Sequence, residues 1–451
     1  MTLTPNSMID GINWPIIPTP LAAGLMAMQY QLEQSQWLSS TEIEQRQFGQ
    51  AAVLLRHALD TVPWYRQRYG THSVRGKLDR DFWRSLPMLD RSEIQDNIEL
   101  MKSTRIPPSH GNVREYGSSG STGRPLKVLG SDTTHFFWLC LTLRDHIWHK
   151  RDLAKKNGAI RTKVKSGTYP GWGEWSNSIA SGPSSTLSIQ TDINEQLDWL
   201  LKEDPDYLIT HPSNLHAMVS RAAERGMRPG KLCEVRTFGE MLQPDLRELV
   251  RKVWGIKLTD MYSAEEVGYI ALQCPETDHY HIQSENLLVE ILNERGEPCQ
   301  PGETGEVVIT TLHNFAMPLI RYRILDHAEV GPPCPCGRGL PVIRRIAGRR
   351  RNMIVLPNGR THWPSFHGDA WRDIAPVRQF QMIQHDINTI EIRVVCSRPM
   401  KAQEESAITT MLTEKLGYPF DFRFSYQDSI PHSPNGKYED FISLVGSQHE
   451  R

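Results

Sequence analysis

Between Tyr116 and Pro125 the chain reads Gly117-Ser118-Ser119-Gly120-Ser121-Thr122-Gly123-Arg124. Small residues let backbone N–H groups approach an anion closely, and Ser and Thr hydroxyls add donors, which is the chemistry of a phosphate-cradling loop. The segment lacks the Gly-Lys-Ser/Thr ending of a Walker loop, and a Ser/Gly-rich linker has the same composition, so by itself it leaves both readings open. Further polar blocks follow: Gly239-Glu240, Asp260-Met261-Tyr262-Ser263-Ala264-Glu265-Glu266-Val267-Gly268, Arg321-Tyr322-Arg323-Ile324-Leu325-Asp326, and Pro434-Asn435-Gly436-Lys437. Each has an ordinary explanation alone: a solvated acidic pair, a core tyrosine, a turn aspartate, a surface lysine. Together they suit one task. A carboxylate that attacks an α-phosphate must overcome anion–anion repulsion, and hydroxyl and backbone donors, a divalent cation and a lysine neutralise that charge as it redistributes. A carboxylate can hold the metal, and a paired acceptor suits a ribose diol.

The cysteines form a second constellation. Cys334-Pro335-Cys336-Gly337-Arg338 places two thiols on one tight loop, and Cys274, His279 and His281 lie upstream. Two cysteines on one knuckle and a Cys/His pair on another make a tetrahedral S₃N site for zinc, with either histidine available on spacing alone. The competing reading is two buried free thiols and solvent histidines.

These residues need elements to hold them. Apolar side chains recur at helical spacing over 41–62. From 192 to 262 helical stripes alternate with short strands: Tyr207-Leu208-Ile209, Val235 to Phe238, and Ile256 to Met261, with Ser213 expected to cap a helix and Gly255 to close one. That order predicts parallel strands with helices on the sheet faces. After residue 280, Leu287/Val289/Ile291 and Val307-Val308-Ile309 predict antiparallel hairpins. Ile390/Ile392/Val394, a helical stripe from Ile408 to Leu416, and Phe420/Phe422/Phe424 predict a small α+β unit. The Gly-, Ser- and Trp-rich stretch 166–187 reads as a long loop.

Composition narrows the class. A chain of 451 residues with 39% apolar and 23% charged residues has the length for two or more domains and the balance of a globular protein. A net charge of −1 argues against a polyanionic partner, and the run Arg344-Arg345 with Arg349-Arg350-Arg351 has no aromatic interleaving, so no nucleic acid is expected. The uncharged stretch from Gly11 to Leu32 is broken by Pro15, Pro18 and Pro20 and is polar at its end, so it is expected to lead into a helix and not to cross a membrane. Seven scattered cysteines predict no disulfide framework, and with no secretory pattern at the start the expected location is cytoplasmic.

In order, spacing and residue type the polar blocks resemble the adenylate-forming superfamily of acyl-CoA ligases, luciferases and adenylation domains, and more narrowly the phenylacetate–CoA ligase family, from about residue 45 to about residue 440. The resemblance implies that Ser118, Ser119, Gly120, Ser121, Thr122 and Gly123 order ATP phosphates. Gly239 and Glu240 would lie along adenine, Tyr262 would stack on it beside Ser263, and Asp326 would accept both ribose hydroxyls. Glu266 would hold Mg²⁺. Gly348-Arg349 would begin a hinge, with Arg349 near the ribose or phosphate and Asn352 where many relatives carry an aspartate. Lys437 would be a mobile lysine that contacts the acyl carboxylate and the α-phosphate. Two features depart from the family pattern. Ser263-Ala264-Glu265 stands where Gly, a variable residue and Ser or Thr are usual, and the register set by Asp260-Met261-Tyr262 favours Glu266 over Glu265; the phosphate loop ends in Arg124 and not lysine. Members of that family also carry a structural zinc at two such loops, with the histidine before an aliphatic residue and an acid three further on. His281-Ile282-Gln283-Ser284-Glu285 matches, which implies Cys274, His281, Cys334 and Cys336 as the zinc ligands.

The expected fold is therefore α/β: a large adenylation domain over 1–348, with parallel sheets and an antiparallel portion, and a small mobile α+β domain over 349–451 that carries the lysine. The expected reaction is ATP-dependent activation of a small-molecule carboxylic acid to an acyl-adenylate, then transfer to coenzyme A, by a monomer or homodimer. Trp138, Trp172, Trp175 and His211-Pro212-Ser213 are expected to line the acyl pocket, which would suit an aromatic or arylacetic acid. The alternatives are transfer to a carrier-protein thiol or to an amine, or a non-catalytic nucleotide-binding role; an intact Lys437 argues against the last.

Overall fold

The computed structural model of the chain describes residues 3–70, 78–117, 126–349, 352–362, 364, 368–430 and 438–445. The chain divides into two compact units, one of Met1–Lys155, Tyr169–Pro183 and Met261–Ile346, the other of Lys156–Thr168, Ser184–Asp260 and Ala347–Arg451.

In the first unit the helix Ser40–Thr61 begins at a capping box, in which Ser39 and Glu42 satisfy each other's backbone donors. Its apolar stripe, Ala51, Leu54, Leu55 and Ala58, is buried in one core with Ile270, Leu287, Val307, Ile309 and Tyr322 from the strands. Those strands are antiparallel: Leu287–Leu292 pairs with Thr304–Thr311, which pairs with Tyr322–Val330, and Tyr280–Ile282 lies between Val342–Arg349 and Gly268–Gln273. The alternation Leu287/Val289/Ile291 and the run Val307-Val308-Ile309 are strands, as expected. The hairpin Val113–Gly117 with Lys127–Ser131 flanks the expected phosphate loop, the register ending at Gly117 opposite Lys127. The loop itself, Ser118 to Gly123, lies outside the described residues, as does Lys437.

The second unit holds the parallel strands. Ser184–Ser188, Asn157–Arg161, Tyr207–Thr210 and Glu234–Phe238 run parallel in that spatial order. Helices Ile193–Glu203, Pro212–Arg225 and Pro244–Val253 bury Leu197, Leu215, Val219, Leu246 and Val250 with Leu208 and Val235 of the sheet. The same unit contains a four-stranded mixed sheet, ordered Asp421–Tyr426, Thr389–Cys396, Val377–Gln384, Phe441–Ser443, with its own core around Trp371, Ile392, Ile408, Leu412 and Phe441. The fold is α/β, as expected. Among the described residues no helix is long and apolar enough to cross a membrane.

Two local expectations are corrected. Ser213 is not a helix cap: the helix starts at Pro212 after His211, and the Ser213 side chain is engaged elsewhere. Proline sets φ for a first turn and lacks the amide that a cap would satisfy, so the start moves two residues upstream, with His211 at the cap position. The stretch 166–187 is not one long loop. It contains the strand Gly167–Tyr169, a 3₁₀ turn Glu174–Asn177 and the start of the strand Ser184–Ser188, which takes its register from Asn157–Arg161. Ladder pairing overrides a Ser-rich local preference there.

Candidate functional site

In the first unit Tyr262 and Asp326 meet. The Tyr262 hydroxyl donates to Asp326 Oδ2 at 2.7 Å, across 64 residues of sequence. Both partners stand at breaks in strand pairing. On one ladder Tyr262 faces Ala271 and Ser263 faces Tyr269, so Ile270 is an extra residue. On the other, Glu306 faces His327 and Val308 faces Arg323, so Ile324, Leu325 and Asp326 stand opposite Val307 alone. Leu325 takes φ 70°, a left-handed conformation that an aliphatic side chain adopts only at a cost. Bulges of this kind re-aim a side chain out of the ladder, and here the re-aimed side chain is the carboxylate of Asp326. Arg321 does another job: it is buried, pairs with Glu290 at 3.1 Å and donates to the carbonyls of Arg84 and Leu86, which anchors the start of the bulged strand.

The two glutamates of the Tyr262 block point different ways. Glu265 is exposed, whereas the Glu266 side chain is only 7% exposed and lies 3.6 Å from the Arg91 guanidinium. Tyr322 also donates to Glu266 Oε1, at 3.4 Å. Gly268 closes the turn at φ 84°, with Trp138 against it. Trp138 stacks on Tyr269 with ring centroids 4.4 Å apart.

In the second unit Gly239 takes φ 80°, the turn that ends the strand Glu234–Phe238 and that a Cβ would strain. The carboxylate of Glu240 accepts from Ser213 N at 2.9 Å, from Ser213 Oγ at 3.0 Å and from Tyr438 N at 2.7 Å. Two of these donors lie on the first turn of a helix, where a carboxylate is favoured. Gln243 Nε2 donates to Asp440 Oδ2 at 2.5 Å, and burial pushes the Asp440 carboxyl up to about 6. Asn352 ties the expected hinge together: its Oδ1 accepts from Arg349 N at 3.2 Å and its Nδ2 donates to Phe441 O at 2.7 Å. Gly348 precedes it with φ 94°.

The cysteine cluster assembles within the first unit. One ligand atom from each of Cys274, His281, Cys334 and Cys336 lies within 4.8 Å of the others. Cys274 Sγ and Cys334 Sγ are 3.8 Å apart, and Cys336 Sγ is 3.3 Å from His281 Nε2. A regular tetrahedron with Zn–S bonds near 2.3 Å has S–S edges of about 3.8 Å, so the donor set fits zinc. His281 Nδ1 faces Leu340 O at 3.4 Å, which leaves Nε2 for a metal. Burial holds the His281 imidazole down at about 4, hence neutral with a lone pair to offer. Burial raises the Cys334 thiol to about 11; burial also opposes ionisation of Cys336, but hydrogen bonds from Arg338 and its neighbouring thiols outweigh it and lower that thiol. His279 is not in the cluster, since it sits on the turn before the strand Tyr280–Ile282.

Among curated proteins, the phenylacetate–coenzyme A ligase of Escherichia coli (strain K12) is 25% identical over 347 residues, covering 73% of this chain and 76% of that protein. The Pseudomonas putida enzyme of the same name is 25% identical over 335 residues, covering 72% and 74%. Over most of its length the chain is similar to the phenylacetate–CoA ligases. A solved 2-hydroxyisobutyryl-CoA ligase, in its postadenylation state with an acyl-AMP, covers 93% of each chain at TM-score 0.72 and 14% identity, so the fold is that of an adenylate-forming CoA ligase. A family model for the CapK C-terminal domain matches residues 368–443.

Against that family pattern, several contacts carry no motif signal. Arg91 and Tyr322 around Glu266, the bulge before Asp326, and the three donors on Glu240 all depend on residues distant in sequence. The expected acyl-pocket tryptophans are dispersed in role. Trp138 is exposed, whereas Trp175 is buried against His146, and Trp172 packs edge-on to the same histidine with its Nε1 donating to Lys155 O. His211 is buried and faces Phe238 O. Of the arginine run, Arg344 and Arg345 both pair with Glu329, an intramolecular use.

Proposed function

We propose that the chain is an AMP-forming carboxylate–CoA ligase, which activates a small-molecule carboxylic acid with ATP and passes the acyl group to coenzyme A. The observation that carries the reading is the Tyr262–Asp326 hydrogen bond at two strand irregularities, with the inward-turned Glu266 four residues after Tyr262. The related CoA ligases support it. Tyr262 presents its ring to adenine while its hydroxyl orients Asp326, whose carboxylate accepts the ribose hydroxyls. Ser118 to Gly123, with Ser263, donate to the phosphates. Glu266 would hold a Mg²⁺ ion, which would supply positive charge to the phosphates; a single inward carboxylate fits an ion that keeps most of its ligands from nucleotide and water. Arg91 holds that carboxylate in place. Lys437 contacts the acyl carboxylate and the α-phosphate as the carboxylate oxygen bonds to phosphorus and pyrophosphate leaves. The thiol sulfur of coenzyme A then attacks the acyl carbon, loses its proton and releases AMP. The flat face of Trp138 beside Gly268 favours an aromatic or arylacetic acid. The Cys274, His281, Cys334 and Cys336 cluster binds one zinc in a closed site that braces the two loops and leaves no open position for chemistry.

The test is pyrophosphate exchange across a panel of carboxylic acids, followed by product analysis with coenzyme A. Exchange, then acyl-CoA and AMP, is expected. Exchange without thioester moves the acceptor to a carrier thiol or an amine, and ADP with phosphate as products overturns the mechanism.

A further inference from the structure

Sixteen large apolar side chains stand exposed among the described residues, and nine of them lie between Met8 and Trp37. Trp14 is 90% exposed and Tyr30 is 70% exposed. The segment is folded. Met8 N donates to Ile17 O at 2.8 Å, Ser7 bridges Pro18, Asn6 N donates to Ser178 O at 2.9 Å, and Thr19 caps the helix Pro20–Ser35. That helix buries Ala22, Leu25 and Leu32 and packs against the helix Asp132–Trp148. Its other face presents Ala23, Met26, Ala27 and Tyr30, with Trp37 just past its end. Positions 23, 26, 27 and 30 recur at the spacing of a helix-pairing seam, and the two alanines admit a second backbone closely.

The charge pattern selects the occupant. No charged residue occurs between Asp10 and Glu33, in a chain that is 23% charged. From Ile12 to Tyr30 such a face offers no ion-pair partner, and it lacks the lysines and arginines that hold an interfacial helix on lipid. From Ile12 to Tyr30 a two-fold contact places the same uncharged residues on both sides, with no like-charge repulsion, while Glu33 and Arg338 flank Trp37 at the edge of the face. The area is also suitable. At ~150–250 Å² for a whole aromatic side chain, Trp14 and Tyr30 alone expose roughly 240–400 Å². The aliphatic and Met side chains carry the total toward the ~800 Å² that each partner buries in a standard interface.

We propose that the N-terminal arm and the outer face of the helix Pro20–Ser35 form the interface of a homodimer, the two copies pairing these helices about a two-fold axis. The pairing is independent of the chemistry at the nucleotide site. Sedimentation equilibrium of the full chain at micromolar concentration should give twice the 51.6 kDa chain mass. Trp14→Ser combined with Tyr30→Glu should give a single-chain mass, with an unchanged circular dichroism spectrum and unchanged pyrophosphate exchange. Met26→Glu alone, a smaller perturbation, should weaken the dimer at least tenfold. A wild-type monomer overturns the proposal, as does a dimer that survives all three substitutions. Flotation of a monomeric chain with neutral phosphatidylcholine vesicles overturns it too, and assigns the face to lipid.

Discussion

Asp326→Ala removes the carboxylate that two bulged strands aim and that Tyr262 orients at 2.7 Å. Bound to ATP, Asp326 is assigned both ribose hydroxyls, as charge-assisted hydrogen bonds worth about 1.5–3 kcal/mol each. Losing one such bond corresponds to a factor of roughly 10–150. Wild-type enzyme should therefore prefer ATP to 2′-deoxy-ATP by about that factor in kcat/KM for pyrophosphate exchange. Asp326→Ala should lower kcat/KM for ATP at least as much and abolish the preference, because neither nucleotide then finds an acceptor. Tyr262→Phe keeps the ring and deletes the hydroxyl that orients the carboxylate, which is a neutral donor to a charged acceptor. Its effect should be smaller, on the order of tenfold, and the preference should persist in part. The double variant should fall no further than Asp326→Ala, since the hydroxyl has nothing left to orient. An Asp326→Ala enzyme that still discriminates ATP from 2′-deoxy-ATP would refute the ribose assignment, whatever its absolute rate.

Cys336→Ser should lower bound zinc from one per chain to well below one and reduce Tm, with little change in acyl preference; elemental analysis and thermal melts check this. Lys437→Ala should slow adenylation by about 10²–10³, while thioester formation from supplied acyl-adenylate survives, as single-turnover assays of the two half-reactions would report. Asp440 should make stability depend on pH. Its folded-state pKa, about 6, lies above the ordinary 3.8, so the buried carboxylate destabilises the fold progressively between those values and fully above them. Asp440→Asn should thus stabilise the protein at pH 8 by up to about 3 kcal/mol and make no difference at pH 3, read from urea melts. Asn352→Ala should loosen the Arg349 and Phe441 contacts and speed amide exchange there without altering zinc content.

Much of the fold was legible because its signals are local. The stripe from Ala51 to Ala58 and the alternation Leu287/Val289/Ile291 each report a period within a few residues. The start of the helix at Pro212 and the strand Ser184–Ser188 were not legible. There a proline's fixed φ and a neighbouring strand decide what serine content alone does not. The cysteine cluster was legible for a chemical reason: soft ligands on two knuckles have few other uses, and only the choice between His279 and His281 needed more than spacing.

Taken by itself, the sequence determined the inventory: a hydroxyl-rich loop, a tyrosine and an aspartate in separate strand blocks, a paired acid, and three thiols with a histidine. It also determined the elements that carry them, since helical and strand periods are written in consecutive residues. Only the tertiary structure decided that Glu266 turns inward to Arg91 while Glu265 stays in solvent, and that Tyr262 reaches Asp326. It also decided that the Glu240 carboxylate is committed to Ser213 and Tyr438. Each of these joins residues 27 to 198 positions apart. Such contacts form when a core closes over the intervening chain, and the extra residues that aim Asp326 exist only as a mismatch between two strands, which neither strand's own residues encode.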